Sequence, residues 1–494
     1  MASGKRGGAA MASGAAAGSS SGGASLRQLG LFTVLCIGVN NIVGSGIYRK
    51  PSELAGLLGG ASWIAFAIDG LLLVTVALCF AAMATRHDEA GGPYLYARRA
   101  FGRWPAFVVA WTAWISMWAA LAAAVTGIPG YLAVFLPGAD APGPAAAIAL
   151  SLVVLLGWIN CRGVKSAAGT ATLLTVAKLL PLLAFVAVGL FAVDWSRFAW
   201  WPSAAAPLPD VLAATAAAHP APAAPSSGTF AALGTALFAA FYPLQGFEVV
   251  PVPAGELKNA RRDVPLAVTL SLVGAAAFYC LIQIVAVGTA PDLAHAGASE
   301  TNRIRPLATA ASTFLGTGGE RLMAAGACVS MLGFAAVTMF CAPRFLVALG
   351  RDGLLPARFA EHHPTRATPI TAVVVTTLAA LFGTLFSLIE WLGGAAAFER
   401  LTALSNLAVL VQYAATCLAV IKLGAHQPEG ADGFRLPGGR YPIPLLGLGT
   451  SGFLAFLITQ DATWVDQVKV FAAWVAAGVL LAVWARRFAG STAR

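Results

Sequence analysis

Leu31–Pro51 reads LFTVLCIGVNNIVGSGIYRKP, and Phe230–Val250 reads FAALGTALFAAFYPLQGFEVV. Each is long and apolar enough to cross a membrane as a helix. Each is also interrupted at its centre, the first by Asn40, Asn41, Gly44, Ser45 and Gly46, the second by Pro243, Gln245, Gly246 and Glu248. Gly weakens a helix and Pro breaks its hydrogen-bond ladder. In lipid, backbone groups without partners are tolerated only where they line a cavity or pack on protein. Two interrupted spans therefore predict a polar cavity near the midplane. A break also creates new helix ends. An N-terminus offers bare N–H groups and a partial positive charge, which suit a carboxylate, and exposed carbonyls at a C-terminal end suit an ammonium. A pair of breaks can hold both ends of one zwitterion. The two stretches lie about 200 residues apart, each opening a run of five spans. That is the pattern of an inverted repeat, in which paired breaks mark a transport site. The competing reading, that Gly and Pro are simply common in membrane helices, suits one break better than two at matching positions.

The composition agrees with a membrane protein. Of 494 residues 58% are hydrophobic and 11% charged, with a mean hydropathy of +0.77, against about 25% charged in a soluble domain. The apolar residues fall in long runs, not in a period of 2 or 3.6. The net charge of +10 is explained by Lys and Arg collecting in cytoplasmic loops. No basic stripe interleaved with aromatics appears, so nucleic acid is not expected as a partner. The seven cysteines, Cys36, Cys79, Cys161, Cys280, Cys328, Cys341 and Cys417, form no CxxC pair. They read as packing residues, and neither a metal nor a cofactor is expected. The Gly/Ala/Ser-rich start of the chain cannot bury a core and reads as disordered, without the build of a signal peptide.

An all-α integral membrane fold of about twelve spans is expected, with centres near residues 42, 73, 114, 152, 180, 241, 276, 332, 378, 411, 451 and 476. The third span is expected to run unbroken from about Pro93 to Gly127, and the eighth to be long and to end near Gly350. One set of loops and tails holds 22 of the 31 Lys and Arg residues. The positive-inside rule then puts both termini in the cytoplasm of a multi-pass plasma-membrane protein. The chain divides into a disordered cytoplasmic tail (1–26), spans one to five (27–193), a Pro-rich extracytoplasmic loop (194–228), spans six to ten (229–425), and spans eleven and twelve with a short tail (426–494).

Five motifs in order resemble those of the amino acid–polyamine–organocation transporter superfamily. They are GSGIY at Gly44–Tyr48, AGGPYLYARRAFG from Ala90, GFE at Gly246–Glu248 followed by GELKNARRDVPLAV from Gly255, RDGLLPARFAEHHPTRATP from Arg351, and FRLPGGRYPIP from Phe434. The resemblance implies the LeuT-type fold, a five-plus-five inverted repeat with discontinuous helices one and six, followed by two trailing helices. It implies alternating access around a site between spans one, three, six and eight. By motif, the amides of Gly44, Ser45 and Gly46 would hold a substrate carboxylate, helped by the Ser45 hydroxyl. Carbonyls near Asn41, Ile42, Tyr242 and Gln245, beside Gly246, would take the amine, with Tyr242 as an aromatic gate. Span three would face the site with Thr112, Ala113, Ser116 and Met117, and span eight with Phe334 and Thr338. The chain departs from the family at Ala260, where Pro is usual, and at Pro243 and Gln245, which replace small or apolar residues.

Ionisable residues deep in a span are functional candidates. Lys178, in LLTVAKLLPLL, resembles the fifth-span Lys of proton-coupled relatives. It reads as a proton carrier or as a fixed cation tying the first break to span eight. Glu248 reads as a proton sensor or as an acceptor for freed amides. Asp69, in WIAFAIDGLLLV, reads as protonated or as paired with a neighbouring span. Tyr94, Arg98 and Arg99 read as loop anchors or cytoplasmic gate contacts. The expected partners are a small-molecule substrate, a proton as coupling ion and the lipid bilayer, with no required protein partner. The pocket candidates contain no carboxylate besides Glu248, which favours a neutral amino acid over a polyamine or other cationic amine. A non-transporting amino acid sensor would usually carry an output domain. An enzyme would need a metal cluster, nucleophile motif or phosphate loop, and none is seen in the spans.

Overall fold

A computed structural model of the chain describes residues 30–86, 91–198, 228–254, 257–290, 305–366, 368–391, 396–424, 436–459 and 464–489, with the single residues 293 and 434. The expected tail 1–26 and most of the loop 194–228 lie outside them. The chain forms helices α1 (Leu31–Ile42), α2 (Gly46–Leu58), α3 (Trp63–Arg86), α4 (Pro93–Phe101), α5 (Arg103–Leu132), α6 (Pro142–Arg162) and α7 (Val164–Gly189). They are followed by α8 (Gly228–Leu244), α9 (Ala260–Thr289), α10 (Pro306–Arg351), α11 (Ile370–Trp391), α12 (Ala396–Leu423), α13 (Pro442–Ile458) and α14 (Trp464–Ala489). Among the described residues, eight helices are long and apolar enough to cross a membrane, and α1 with α2, bent by 43°, makes a ninth as a pair. Every span centre expected from the sequence falls on one of the helices.

The layering follows from the side chains. α5 is almost wholly buried and packs against α10, α12 and α11. Its Trp111, Trp114 and Trp118 form a chain of ring contacts that continues to Trp474 of α14. α3 packs chiefly against α9, with Gly70 facing Ala276 so closely that an added Cβ would stand 2.6 Å from the alanine's. The outside of the bundle is apolar: Leu71, Trp158, Phe191, Leu378, Phe456 and Leu480 are all more than half exposed or nearly so. Such a surface is stable against lipid and not against water.

Three elements differ from the sequence reading. The expected single third span is split at Gly102, whose φ of +89° ends α4 and lets α5 start in a new direction. The sixth span carries helix only to Leu244. Beyond it comes a single 3-10 turn, Phe247–Val249, and then turns, because Pro251 and Pro253 follow and cannot sustain an α-helical ladder. α10 is as long as expected but turns at Gly316, where φ is +60°.

Candidate functional site

The first break is local backbone chemistry. α1 ends where the Val43 amide still reaches Val39 O at 2.8 Å, but the Gly44 amide folds back onto Ile42 O at 2.9 Å. α2 restarts at Gly46 with Ser45 as its N-cap. The freed carbonyls of α1 are capped from other helices. Tyr279 donates its hydroxyl to Ile42 O at 2.9 Å, and Ser330 stands 3.2 Å from both Val43 O and Gly44 O. Lys178 of α7 donates to Asn40 O at 2.7 Å, and also to Asn40 Oδ1 and Val43 O. Three acceptors use all three hydrogens of an ammonium, placed at a helix C-terminus where a cation is favoured. Lys178 is fully buried and ties α7 to the first break, where Ser330 of α10 shares its acceptor Val43 O.

The second break lies directly against the first. Gly246 has φ +123°, and a Cβ on it would fall 2.5 Å from Asn41 C and 2.7 Å from both Asn41 O and Ile42 N. A Cβ on Gly46 would fall 2.8 Å from Pro243 Cγ and 2.9 Å from its Cα. The two interruptions therefore touch main chain to main chain. Glu248 accepts the Gly246 amide at 2.9 Å and the Tyr413 hydroxyl at 2.9 Å, so its carboxylate caps the end that the break exposes.

Around this contact is a cavity of about 40 Å³. Asn41, Ile42, Gly44, Ser45, Gly46, Ser116, Tyr242, Gln245 and Gly246, all singled out from the sequence, share its wall with Glu248. Of the candidates on spans three and eight, Met117, Phe334 and Thr338 also line it, whereas Thr112 and Ala113 do not. The wall is held by cross-helix pairs: Ser45 Oγ to Tyr242 OH at 3.3 Å, Gln245 Nε2 to Asn406 Oδ1 at 2.6 Å, Ser116 Oγ to Ser405 Oγ at 3.0 Å and Thr338 Oγ1 to Asn41 Oδ1 at 3.4 Å. The sequence reading missed the contribution of α12 (Ser405, Asn406 and Tyr413). The polar residues of TALSNLAVLVQY inside an apolar run were the available signal. Lys178 lies behind α1, outside the cavity wall, and Asp69 is buried in α3.

At the α4–α5 corner, Tyr94, Arg98 and Arg103 all bond Asp352 at the end of α10, the first two at its carboxylate and Arg103 at its carbonyl. Tyr94 and Arg98 thus contact the end of α10, a placement shared by a loop anchor and a cytoplasmic gate contact.

Comparison with known proteins agrees with this architecture. The chain is 26% identical over 92% of its length to the branched-chain amino acid permease BcaP of Bacillus subtilis, covering 92% of that protein. It is 25% identical, with the same coverage of both chains, to the methylthioribose transporter of that bacterium. It is 27% identical over 70% of its length to cationic amino acid transporter 9 of Arabidopsis thaliana, covering 59% of that protein. Residues 29–483 match the family model described as amino acid permease. A match over nearly the whole chain, with both interrupted helices inside it, shows that this is a multi-pass membrane protein of the amino acid permease family, within the amino acid–polyamine–organocation superfamily.

Proposed function

We propose that the protein is a secondary active transporter that moves a neutral amino acid across the plasma membrane by alternating access, coupled to protons or to exchange. In this reading it has twelve spans, five of them in each inverted repeat, with both termini cytoplasmic. The observation that carries it is the main-chain contact of the two interrupted helices around one small polar cavity. The N-terminus of α2 at Ser45 and Gly46 offers amides to a carboxylate. The Gly44 amide is already turned onto Ile42 O, so Ser45 and Gly46 take the larger share. On the amine side, Ile42 O already accepts from Tyr279, which shifts that role toward the carbonyls of Asn41 and Gln245.

A neutral substrate is supported by the wall itself. Glu248 is its one carboxylate and is already engaged by two donors, while Met117, Ala120, Val249 and Phe334 give the wall an apolar side. The named cargo of the relatives ranges from branched-chain and cationic amino acids to methylthioribose, so it does not decide the matter. A polyamine or other cationic amine would require Glu248 to exchange Gly246 and Tyr413 for the ligand. At about 10–15 Å³ for each water, the cavity admits only a few waters, so the helices must separate to load a substrate.

Lys178 fits proton coupling because its three bonds require the ammonium. A neutral amine has one hydrogen too few to hold Asn40 and Val43 together, so loss of the proton loosens the first break. Uptake of a labelled amino acid panel into proteoliposomes, with and without a pH gradient, tests the reading. Accumulation of a neutral aliphatic amino acid, increased by an acid outside, is expected. Uptake of polyamines alone, or binding without translocation as in a sensor, would refute it.

A further inference from the structure

Asp69 is a buried charge-bearing residue that the substrate site does not use. It is fully buried, and among the described residues neither carboxyl oxygen has a hydrogen-bond partner. Its place is set by three contacts along the seam where α3 runs antiparallel to α9. Ser62 meets Gln283, whose Nε2 donates to its hydroxyl at 2.8 Å; Phe66 packs edge-on to Tyr279 with ring centres 5.4 Å apart; and Gly70 faces Ala276. Asp69 therefore stands level with Tyr279 and Ala276. The Tyr279 hydroxyl holds Ile42 O at the first break, so Asp69 is at the depth of the substrate site although it lies outside its wall.

Among the described residues no cation pairs with it. The elements packed against α3 are α8, α9, α12, α13 and the 247–249 turn. Their titratable groups within the membrane are Tyr242 of α8, Tyr279 and Cys280 of α9, Tyr413 and Cys417 of α12, and Glu248; α13 has none. Arg261, Arg262 and Asp263 are in the first turn of α9 at its opposite end, Glu399 and Arg400 are near the start of α12, and Lys422 at its end sits over the Phe101 ring. On α3 itself there are Cys79 and, at the far terminus, Arg86. Asp69 pairs with none of these. An isolated carboxylate in such a place costs far more than a protonated one. The seam also holds a second acceptor without a donor, Gln283 Oε1, one turn from Tyr279. It has acceptors to spare and lacks a hydrogen.

We propose that Asp69 is a proton-binding site of this protein: a neutral carboxylic acid in the packing of α3 and α9 seen here, which exchanges its proton with water during the transport cycle. The step is a simple ionisation, with the proton passing to water and returning from it. It rests on the transporter reading only for its effect on uptake, and the protonation itself can be measured without any substrate.

Infrared spectroscopy of the full chain in lipid nanodiscs tests the protonation. Wild type at neutral pH is expected to show the carbonyl stretch of an isolated carboxylic acid. That band should shift on carbon-13 labelling of aspartate, fade as pH is raised and be missing in Asp69→Asn. The isotope label assigns the band even if the variant fails to fold. An aspartate spectrum at neutral pH with carboxylate bands alone, or an acid band unmoved in a folded Asp69→Asn, would overturn the proposal. In proteoliposomes, Asp69→Asn should lower the slope of log uptake rate against pH by about one, the loss of a single titrating proton. An unchanged slope in a variant that still transports would also overturn it. Should wild type take up nothing from the panel, the transporter reading fails while the infrared titration still decides the state of Asp69.

Discussion

A methyl group on Gly246 has nowhere to go. The residue sits at φ +123° with the Asn41 carbonyl carbon 2.5 Å from the position of a Cβ, and that carbon belongs to main chain that cannot swing aside. Gly246→Ala is expected to cost about 2–4 kcal/mol, from backbone strain plus overpacking, and to abolish uptake; thermal unfolding in detergent and a flux assay check the two effects separately. Lys178→Ala removes one cation and its bonds to Asn40 O, Asn40 Oδ1 and Val43 O. A loss of about 1–3 kcal/mol is expected from buried acceptors deprived of their donor, along with a shallower dependence of uptake on pH. Full pH-driven uptake in that variant would leave Lys178 a purely structural tie. Both residues were legible in the sequence because each is an anomaly within an apolar run. Tyr279, Ser330 and Tyr413 were not, since a hydroxyl in a membrane helix looks the same whether it caps a distant carbonyl, bonds its own helix or faces a neighbour. What distinguishes these three is a partner far away in the chain, and that appears only once the helices are packed.

Among elements, the corner between α4 and α5 shows how a break can be read too weakly. AFGRWP reads as part of one long span, yet Gly102 at φ +89° and Pro105 just beyond it separate a short helix from the buried one. The short helix serves to bring Tyr94 and Arg98 to Asp352 at the end of α10. Asp352→Ala should cost about 1 kcal/mol, since Arg98 is more than a third exposed and such pairs are screened by solvent. Its larger effect should be local: hydrogen exchange across Pro93–Phe101 should rise while that of α5 stays unchanged. Uniform exchange across both helices would show that the corner is held by packing alone. The sixth span was misread in the opposite direction. Its break was clear from Pro243 and Gly246, but the apolar EVVPVP that follows resembles a continuing helix by hydropathy and is barred from being one by its prolines.

For the whole molecule, the Lys and Arg count predicts which ends of the helices face the cytoplasm. In a background without native cysteines, Gly138→Cys, between α5 and α6, should react with an impermeant thiol reagent added to intact cells. Arg358→Cys, between α10 and α11, should react only after the membrane is opened. The reverse pattern would invert the topology. The overall architecture was readable because hydropathy and charge bias act residue by residue along the chain. The side-chain pairs that shape the cavity depend on rotation of each helix about its axis, which a nearly uniform apolar sequence leaves open; the faint amphipathic signal of α5 gave no hint that it would be buried on every side. The crossing of the two interrupted helices includes main-chain contact at Gly246, Asn41 and Ile42, beside Gly46 against Pro243 and Ser45 against Tyr242. A contact built from backbone is the same whichever side chains line the rest of the wall. Cargo can therefore be re-tuned through Met117 or Ala120, which line the wall on a different helix.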